Sequence, residues 1–194
     1  MIRSRVPSIT RYCARNGEPA GYRWSAGIWG GRHAAGIDGL TVQNAGAVGG
    51  ATRAVGITIA NADPLLRDFA VTNSPPGGPP PTENIGVSIS GVPLGRLANP
   101  RLEGVNNGTR SAVSAGDASA LSVGIQAVNA KLETNFTNAA SGTATNAASA
   151  AVQLLDCPGS DLRDGAFVAG HGATCFGVFS QGNAGGLTLD SVTA

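Results

Sequence analysis

The sequence predicts an all-β fold, a solenoid of about five to six rungs in which each rung is one turn of the chain. Three observations favour it. A short apolar motif recurs along the chain, turn-forming clusters of Gly, Pro, Asn and Ser separate its copies, and glycine supplies 29 of the 194 residues. A chain of this length forms one domain, which argues against an enzyme with separate cofactor and substrate domains.

The recurring motif is a small residue, an apolar residue, a polar residue and a second apolar residue, followed about seven or eight positions later by leucine. Its copies occupy residues 56–59, 86–89, 123–125, 152–154 and 177–179, with a partial copy at 39–42. This alternation is typical of strands. Because such short strands bury little area alone, we expect the copies to stack about 4.8 Å apart.

Stacking predicts which way the repeated residues point. Five leucines are expected in one inward column: Leu66, Leu97, Leu132, Leu162 and Leu187. A second apolar position follows each copy: Val71, Leu102, Phe136, Phe167 and Val192. Strand alternation turns the residue after each leucine outward: Arg67, Ala98, Glu133, Arg163 and Thr188. This alignment makes Glu133 and Arg163 neighbours on successive rungs.

One segment has a competing interpretation. Within residues 117–136, Asp117 is a candidate N-cap, and apolar residues follow at the spacing of a helix face: Ile125, Val128, Leu132 and Phe136. Gly124 weakens this alternative. A related possibility is a phage or virus structural protein in which residues 117–155 form a helix between two β modules. Residues 139–151, rich in Ala, Ser, Thr and Asn, are predicted to be a polar loop between rungs.

The strings at residues 56–71 and 177–187 resemble the right-handed parallel β-helix repeat proteins of the pectin-lyase-like superfold. The resemblance covers residues 37–194 and implies a right-handed parallel β-helix. It also implies that an enzyme of this kind would use carboxylates, as Ca²⁺ ligands of a lyase or as the paired acids of a glycosidase. The candidates are Asp68, Asp156, Asp161 and Asp164.

These carboxylates do not predict an active site. Asp68 and Asp164 fall three rungs apart, about 14 Å, which exceeds the separation in either glycosidase geometry. Asp161 and Asp164 flank a turn, where carboxylates are usually solvated. The histidines, His33 and His171, lie in glycine-flanked segments and are expected to be exposed. We therefore predict no catalytic, cofactor or metal site.

Residues 1–36 do not fit the repeat, although they hold both tryptophans and both tyrosines. We expect them to form an N-terminal capping or docking segment, with residues 37–194 as the β-helix repeat domain; a ligand-binding aromatic cluster is the alternative. The last copy leaves its rung without a polar capping repeat, so we expect self-assembly. The residues expected to take part are Trp24, Trp29, Leu187 and Val192.

Composition limits the partners. The net charge is +1, which gives no electrostatic reason to expect nucleic acid or an anionic membrane. No apolar run is long enough for a membrane span, and the basic N-terminus lacks the apolar region of a signal peptide. Cys13, Cys157 and Cys175 match no metal-binding spacing and allow at most one disulfide within the chain.

The sequence therefore favours a non-enzymatic structural or adhesive subunit of an extracellular filament, sheath, surface appendage or virion fibre. Its main partner would be another copy of itself, with a surface polysaccharide as a further possibility. The alternative is a carbohydrate-active enzyme of the pectin-lyase-like fold, a polysaccharide lyase or a glycosidase. An enzyme should show a groove with clustered carboxylates and arginines along one face, whereas a structural module should not.

Overall fold

A computed structural model describes residues 26–29, 36–43, 52–74, 79–91, 97–104 and 110–194. Within these ranges the chain contains strands and turns and no α-helix. All strand pairs are parallel, and the chain returns to the same three sheets on every turn. The protein is therefore a parallel β-solenoid of about five turns, which confirms the predicted fold class.

The three sheets run along the solenoid, and the strands are numbered in chain order. Sheet A contains β1 (Ala26–Trp29), β4 (Arg53–Ala60), β7 (Glu83–Ser90), β10 (Leu121–Val128), β13 (Ala144–Leu155) and β16 (Gly172–Gln181). Sheet B contains β2 (Gly36–Asp38), β5 (Leu65–Arg67), β8 (Arg101–Glu103), β11 (Glu133–Asn135), β14 (Ser160–Arg163) and β17 (Leu187–Asp190). Sheet C contains β3 (Thr41–Gln43), β6 (Ala70–Asn73), β9 (Ser111–Ala115), β12 (Thr137–Ala140) and β15 (Phe167–Val168).

All five full copies of the motif lie in sheet A, and four of them are in the predicted register. Their first apolar residues, Ile57, Val87, Val152 and Val178, stack in one inward column. The copy at 123–125 was aligned wrongly by two residues, because Ile125, and not Val123, joins this column. The partial copy at 39–42 was wrongly aligned with them. It forms the corner between sheets B and C, where Gly39 has φ 69°, and β1 supplies the first strand of sheet A instead.

Among the described residues, most corners between sheets A and B and between sheets B and C use left-handed backbone, which explains the Asn, Asp and Gly at these positions of the repeat. Between sheets A and B the left-handed residues are Asn61, Gly91, Asn129, Asp156 and Gly182. Between sheets B and C they are Gly39, Asp68, Phe136, Asp164 and Ser191. Phe136 was predicted to face inward with Phe167, but its corner position leaves it half-buried, with the Arg110 guanidinium 5.9 Å from its ring centroid.

The leucine column differs from the prediction. The column of sheet B is Ile37, Leu66, Leu102, Thr134, Leu162 and Leu189. Leu132 and Leu187 lie two residues before the column positions of their rungs, and Leu97 is half-buried beside the buried Ala98. Residues two apart on a strand face the same way, so recurrence of leucine alone could not separate the two positions. Ala98, predicted outward, is likewise buried.

The predicted alternatives for residues 117–155 are wrong. Residues 117–136 form β10 and β11 and contain no helix, which also removes a helical link between two β modules. Residues 139–151, predicted to be a loop, belong mostly to β12 and β13. Sheet A passes close to sheet C at this point, which requires glycine at position 124: a Cβ there would lie 2.6 Å from the carbonyl oxygen of Ala151 and 2.8 Å from that of Ala140.

Part of the predicted N-terminal segment extends the solenoid. Ala26–Trp29 pair with β4, and Gly36 begins β2. Cys13, Trp24 and His33 lie outside the described residues. The division into a capping segment and a repeat domain stays a prediction.

Candidate functional site

The outer face of sheet B concentrates charged side chains. Each strand of this sheet is three or four residues long, with one inward residue between two outward ones, so two outward columns run along the solenoid. The first column is Leu65, Arg101, Glu133, Asp161 and Thr188. The second is Asp38, Arg67, Glu103, Asn135, Arg163 and Asp190. A groove between them crosses the rungs of β8, β11 and β14.

Most of these charges are paired within the face. Arg67 Nε lies 3.3 Å from Glu103 Oε2, and Arg101 Nη1 lies 4.0 Å from the other oxygen of Glu103. Arg163 binds Asp161 with two nitrogens, Nε at 2.9 Å and Nη2 at 2.6 Å. About half of each arginine side chain remains exposed. The face therefore presents alternating charges that can also contact a partner.

Glu133 accepts hydrogen bonds from two side chains beside this groove. Lys131 Nζ lies 2.7 Å and Asn99 Nδ2 3.1 Å from Glu133 Oε1. Burial raises the pKa of Glu133, but the hydrogen bonds from Lys131 and Asn99, with the nearby positive charges of Lys131 and Arg101, outweigh burial and hold the pKa below its ordinary value. Glu133 is therefore ionised at neutral pH and already has a cation.

The structure separates the four carboxylates that the sequence singled out. Asp68, Asp156 and Asp164 occupy left-handed corners, and Asp68 lies three rungs from Asp164, as predicted. Only Asp161 belongs to the groove. Glu133 and Arg163 share the groove as predicted, although the direct register partner of Glu133 is Asp161.

Sequence reasoning missed Glu103, Arg101 and Asn135 as members of this face. The available signal was charged residues on both sides of one inward residue, as in Arg101-Leu102-Glu103 and Asp161-Leu162-Arg163. Aligning these triplets, instead of the leucines alone, would have given the correct register.

In the described part of the chain there is neither a cluster of metal-binding side chains nor a disulfide. There, no three His, Cys, Asp or Glu side chains come together in a way that could hold a metal ion. His171 is exposed. Cys157 is fully buried and Cys175 is exposed, and neither forms a disulfide with another described residue.

A second polar feature follows a crease on the outside of sheet A. Gly86 and Val87 both face inward, so β7 bends and its outer side becomes concave. Arg53 spans this crease, donating from Nη2 to Ser88 Oγ at 3.2 Å and to Gln126 Oε1 at 3.0 Å. Gln126 then donates to Gln153 Oε1 at 2.9 Å. Because these side chains hydrogen-bond to one another, the crease is a structural network.

The C-terminal rung forms an end face. In the described structure β15, β16 and β17 are each the outermost strand of their sheet. Leu187 and Val192 pack partly against the core. Leu189, in the column of buried leucines, is 50% exposed. Val168 and Phe176 are also exposed, so an apolar surface and three unpaired strand edges lie together at this end.

Comparisons of the chain with protein-family models, with curated proteins and with solved structures found no match. The described residues include no helix with the length and apolar character needed to cross a bilayer. Function must therefore be argued from the faces of the solenoid themselves.

Proposed function

We propose that this protein is a non-enzymatic structural subunit that assembles end to end into an extracellular filament, sheath, surface appendage or virion fibre. The observation that carries the proposal is the half-exposed Leu189, which continues a column whose residues Leu66, Leu102 and Leu162 are fully buried. Exposed strand edges are templates for pairing with another chain. A second chain that covered the exposed leucine at the end of this apolar column would remove more apolar surface from water, which favours contact at the same end.

The first described rung offers a matching surface. If β2 of a second copy followed β17 in the same register, Ile37 would stack on Leu189, and Gly36 would follow Thr188. Ile37 is half-buried in the described structure, so stacking on Leu189 of another copy would remove more of its apolar surface from water. Such a contact joins different surfaces of two copies, and a contact of that type that does not close produces a filament.

One pair of like charges would weaken this end-to-end contact. Asp190 and Asp38 would occupy neighbouring rungs in the second outward column, and like charges directly opposite are unfavourable. Salt screens this repulsion while leaving the apolar contact in place. End-to-end assembly should therefore increase with ionic strength.

The groove on sheet B clusters carboxylates and arginines along one face, which is the feature expected of the enzyme alternative and not of a structural module. The ion pairs of its carboxylates argue against catalysis. Glu133 and Asp161 lie on neighbouring strands, but both are ion-paired with basic side chains. A general acid or a nucleophile needs a carboxylate that is free to exchange a proton or to attack.

The test is sedimentation velocity with electron microscopy at high protein concentration, in low and high salt. The wild-type chain should form oligomers or fibres, more of them at high salt. At high salt Leu189→Glu should abolish fibres and end-to-end oligomers, because it places a charge in the joint. Thr72→Glu adds the same charge to an exposed site on β6 of sheet C, away from both end rungs, and should still assemble. A wild-type monomer at both salt concentrations, with no fibres, would refute the proposal.

A further inference from the structure

We propose that the outer face of sheet B is a lateral docking surface for a second, antiparallel copy of this chain. When the order of the rungs is reversed about β11, the charges of the two outward columns lie opposite charges of the other sign. The occupant is a second copy, because the same face of a copy in reverse order supplies this match. The contact is separate from the end-to-end joint and does not require it.

The match appears when a two-fold axis passes through the rung of β11, parallel to the strands. This axis reverses the order of the rungs and keeps each column opposite its own copy. In the second column, Arg67 then faces Asp190 of the second copy, and Glu103 faces Arg163 of the second copy. In the first column, Arg101 faces Asp161 of the second copy. The symmetry makes every one of these pairs occur twice.

The axis itself crosses two residues. Asn135 faces its own symmetry mate. Its Oδ1 is buried without a hydrogen-bond partner, and because the side chain is uncharged the pair adds no repulsion at the axis. Glu133 also faces its mate. Its charge is already balanced by Lys131 at 2.7 Å, which limits the repulsion.

Other positions of the axis are worse. Moving it by half a rung toward β8 brings Arg67 against Arg163 of the second copy and Asp38 against Asp190. Moving it by half a rung toward β14 brings Glu103 against Asp190 and Glu133 against Asp161. The charges therefore select one register, which is how electrostatic complementarity confers specificity.

The contact should be weak on its own and sensitive to salt. Strands of three or four residues make a narrow face, so it would bury less than the roughly 800 Å² per partner of a stable complex. Its pairs are exposed and screened by salt. In a filament the same contact would repeat along the length, and multivalency would strengthen it.

The experiment places a cysteine on the axis. Asn135→Cys is made in a Cys13→Ser, Cys175→Ser background and treated with a bismaleimide of about 10 Å span, the spacing of facing sheets. A cross-linked dimer should form at low ionic strength and fall about tenfold in 0.5 M salt, where screening is short-ranged. Thr72→Cys, exposed on sheet C, is the matched control and should not cross-link efficiently.

A charge exchange gives the decisive comparison. With Asn135→Cys in place, Glu103→Arg alone and Arg163→Glu alone should each lower the yield of dimer about tenfold, because like charges then face each other. A mixture of the two variants should restore it, because position 103 of each copy then faces an opposite charge at position 163 of the other copy. Circular dichroism should show that both variants are folded. Equal yields from the cysteines at positions 135 and 72, or no recovery on mixing, would overturn the proposal.

Discussion

The hydroxyl of Thr137 donates a hydrogen bond of 2.9 Å to the carbonyl oxygen of Leu102 on the preceding rung. Thr134, three residues earlier, has the opposite situation. It stands in the leucine column at 3% exposure, and its Oγ1 is buried without a hydrogen-bond partner. Two buried threonines on one rung therefore contribute to stability with opposite sign.

We predict that Thr134→Val stabilises the protein by about 1 kcal/mol, because it removes an unsatisfied buried hydroxyl at nearly constant volume. Thr137→Val, the matched control, should destabilise it by about 1 kcal/mol, because it removes a satisfied one. Urea unfolding followed by circular dichroism measures both. Equal losses of stability in the two variants would contradict the prediction.

The second prediction concerns the bend of the long strands. Gly124→Ala should destabilise the protein by roughly 1 to 3 kcal/mol, because the new Cβ would lie 2.6 Å and 2.8 Å from the carbonyl oxygens of Ala151 and Ala140. Backbone atoms cannot move aside as a side chain can. Gly36→Ala is the control, since a Cβ there meets nothing within 4 Å. Thermal melts should show a large loss for the first variant and no loss for the second.

The third prediction concerns the two described thiols. Cys157 is fully buried with Sγ 3.2 Å from the Ala127 carbonyl oxygen, and burial raises the pKa of its thiol, so the thiolate is scarce at pH 8. In a Cys13→Ser variant, a thiol reagent at pH 8 should modify Cys175 quickly and Cys157 only after denaturation. Two rapidly reacting thiols in the native protein would show that the core around Cys157 opens.

The fourth prediction concerns acid stability. The folded-state pKa of Glu133 is lowered, so its contribution is present above the unfolded pKa and is lost as pH falls through the folded value. Glu133→Gln should cost up to about 1 kcal/mol at pH 7, the range for a partly exposed pair. At pH 3 the cost should shrink. Unfolding free energies at the two pH values provide the measurement, and a cost that grows toward low pH would exclude this role.

Most of the fold could be predicted from the sequence, because the alternation of apolar and polar residues in each strand, and its recurrence along the chain, are local signals. Ile57, Val87, Val152 and Val178 could be aligned correctly for this reason, whereas the copy at 123–125 was aligned through Val123, two residues from the true position of Ile125. The leucines could not, since Leu132 and Thr134 face the same way and only the hydrogen-bond register separates them.

The charged face was harder to predict than the core. Glu103 and Arg163 join the same column through stacking of distant segments, and a correct column requires every rung to be in register. An error of two residues preserves the inward and outward pattern, yet it exchanges the two outward columns. The sequence therefore predicted that Glu133 and Arg163 share a face and missed which residue opposes each.

The parallel register also makes the length of the solenoid proportional to its number of rungs. Each strand forms hydrogen bonds only with strands of the rung before it and the rung after it. Register partners are therefore one repeat apart in the sequence, which is 38 residues from Val87 to Ile125 and 26 residues from Val152 to Val178. Adding a copy would leave these distances unchanged and lengthen the rod by about 4.8 Å. Each copy of the repeat therefore adds a fixed increment to the length of the solenoid.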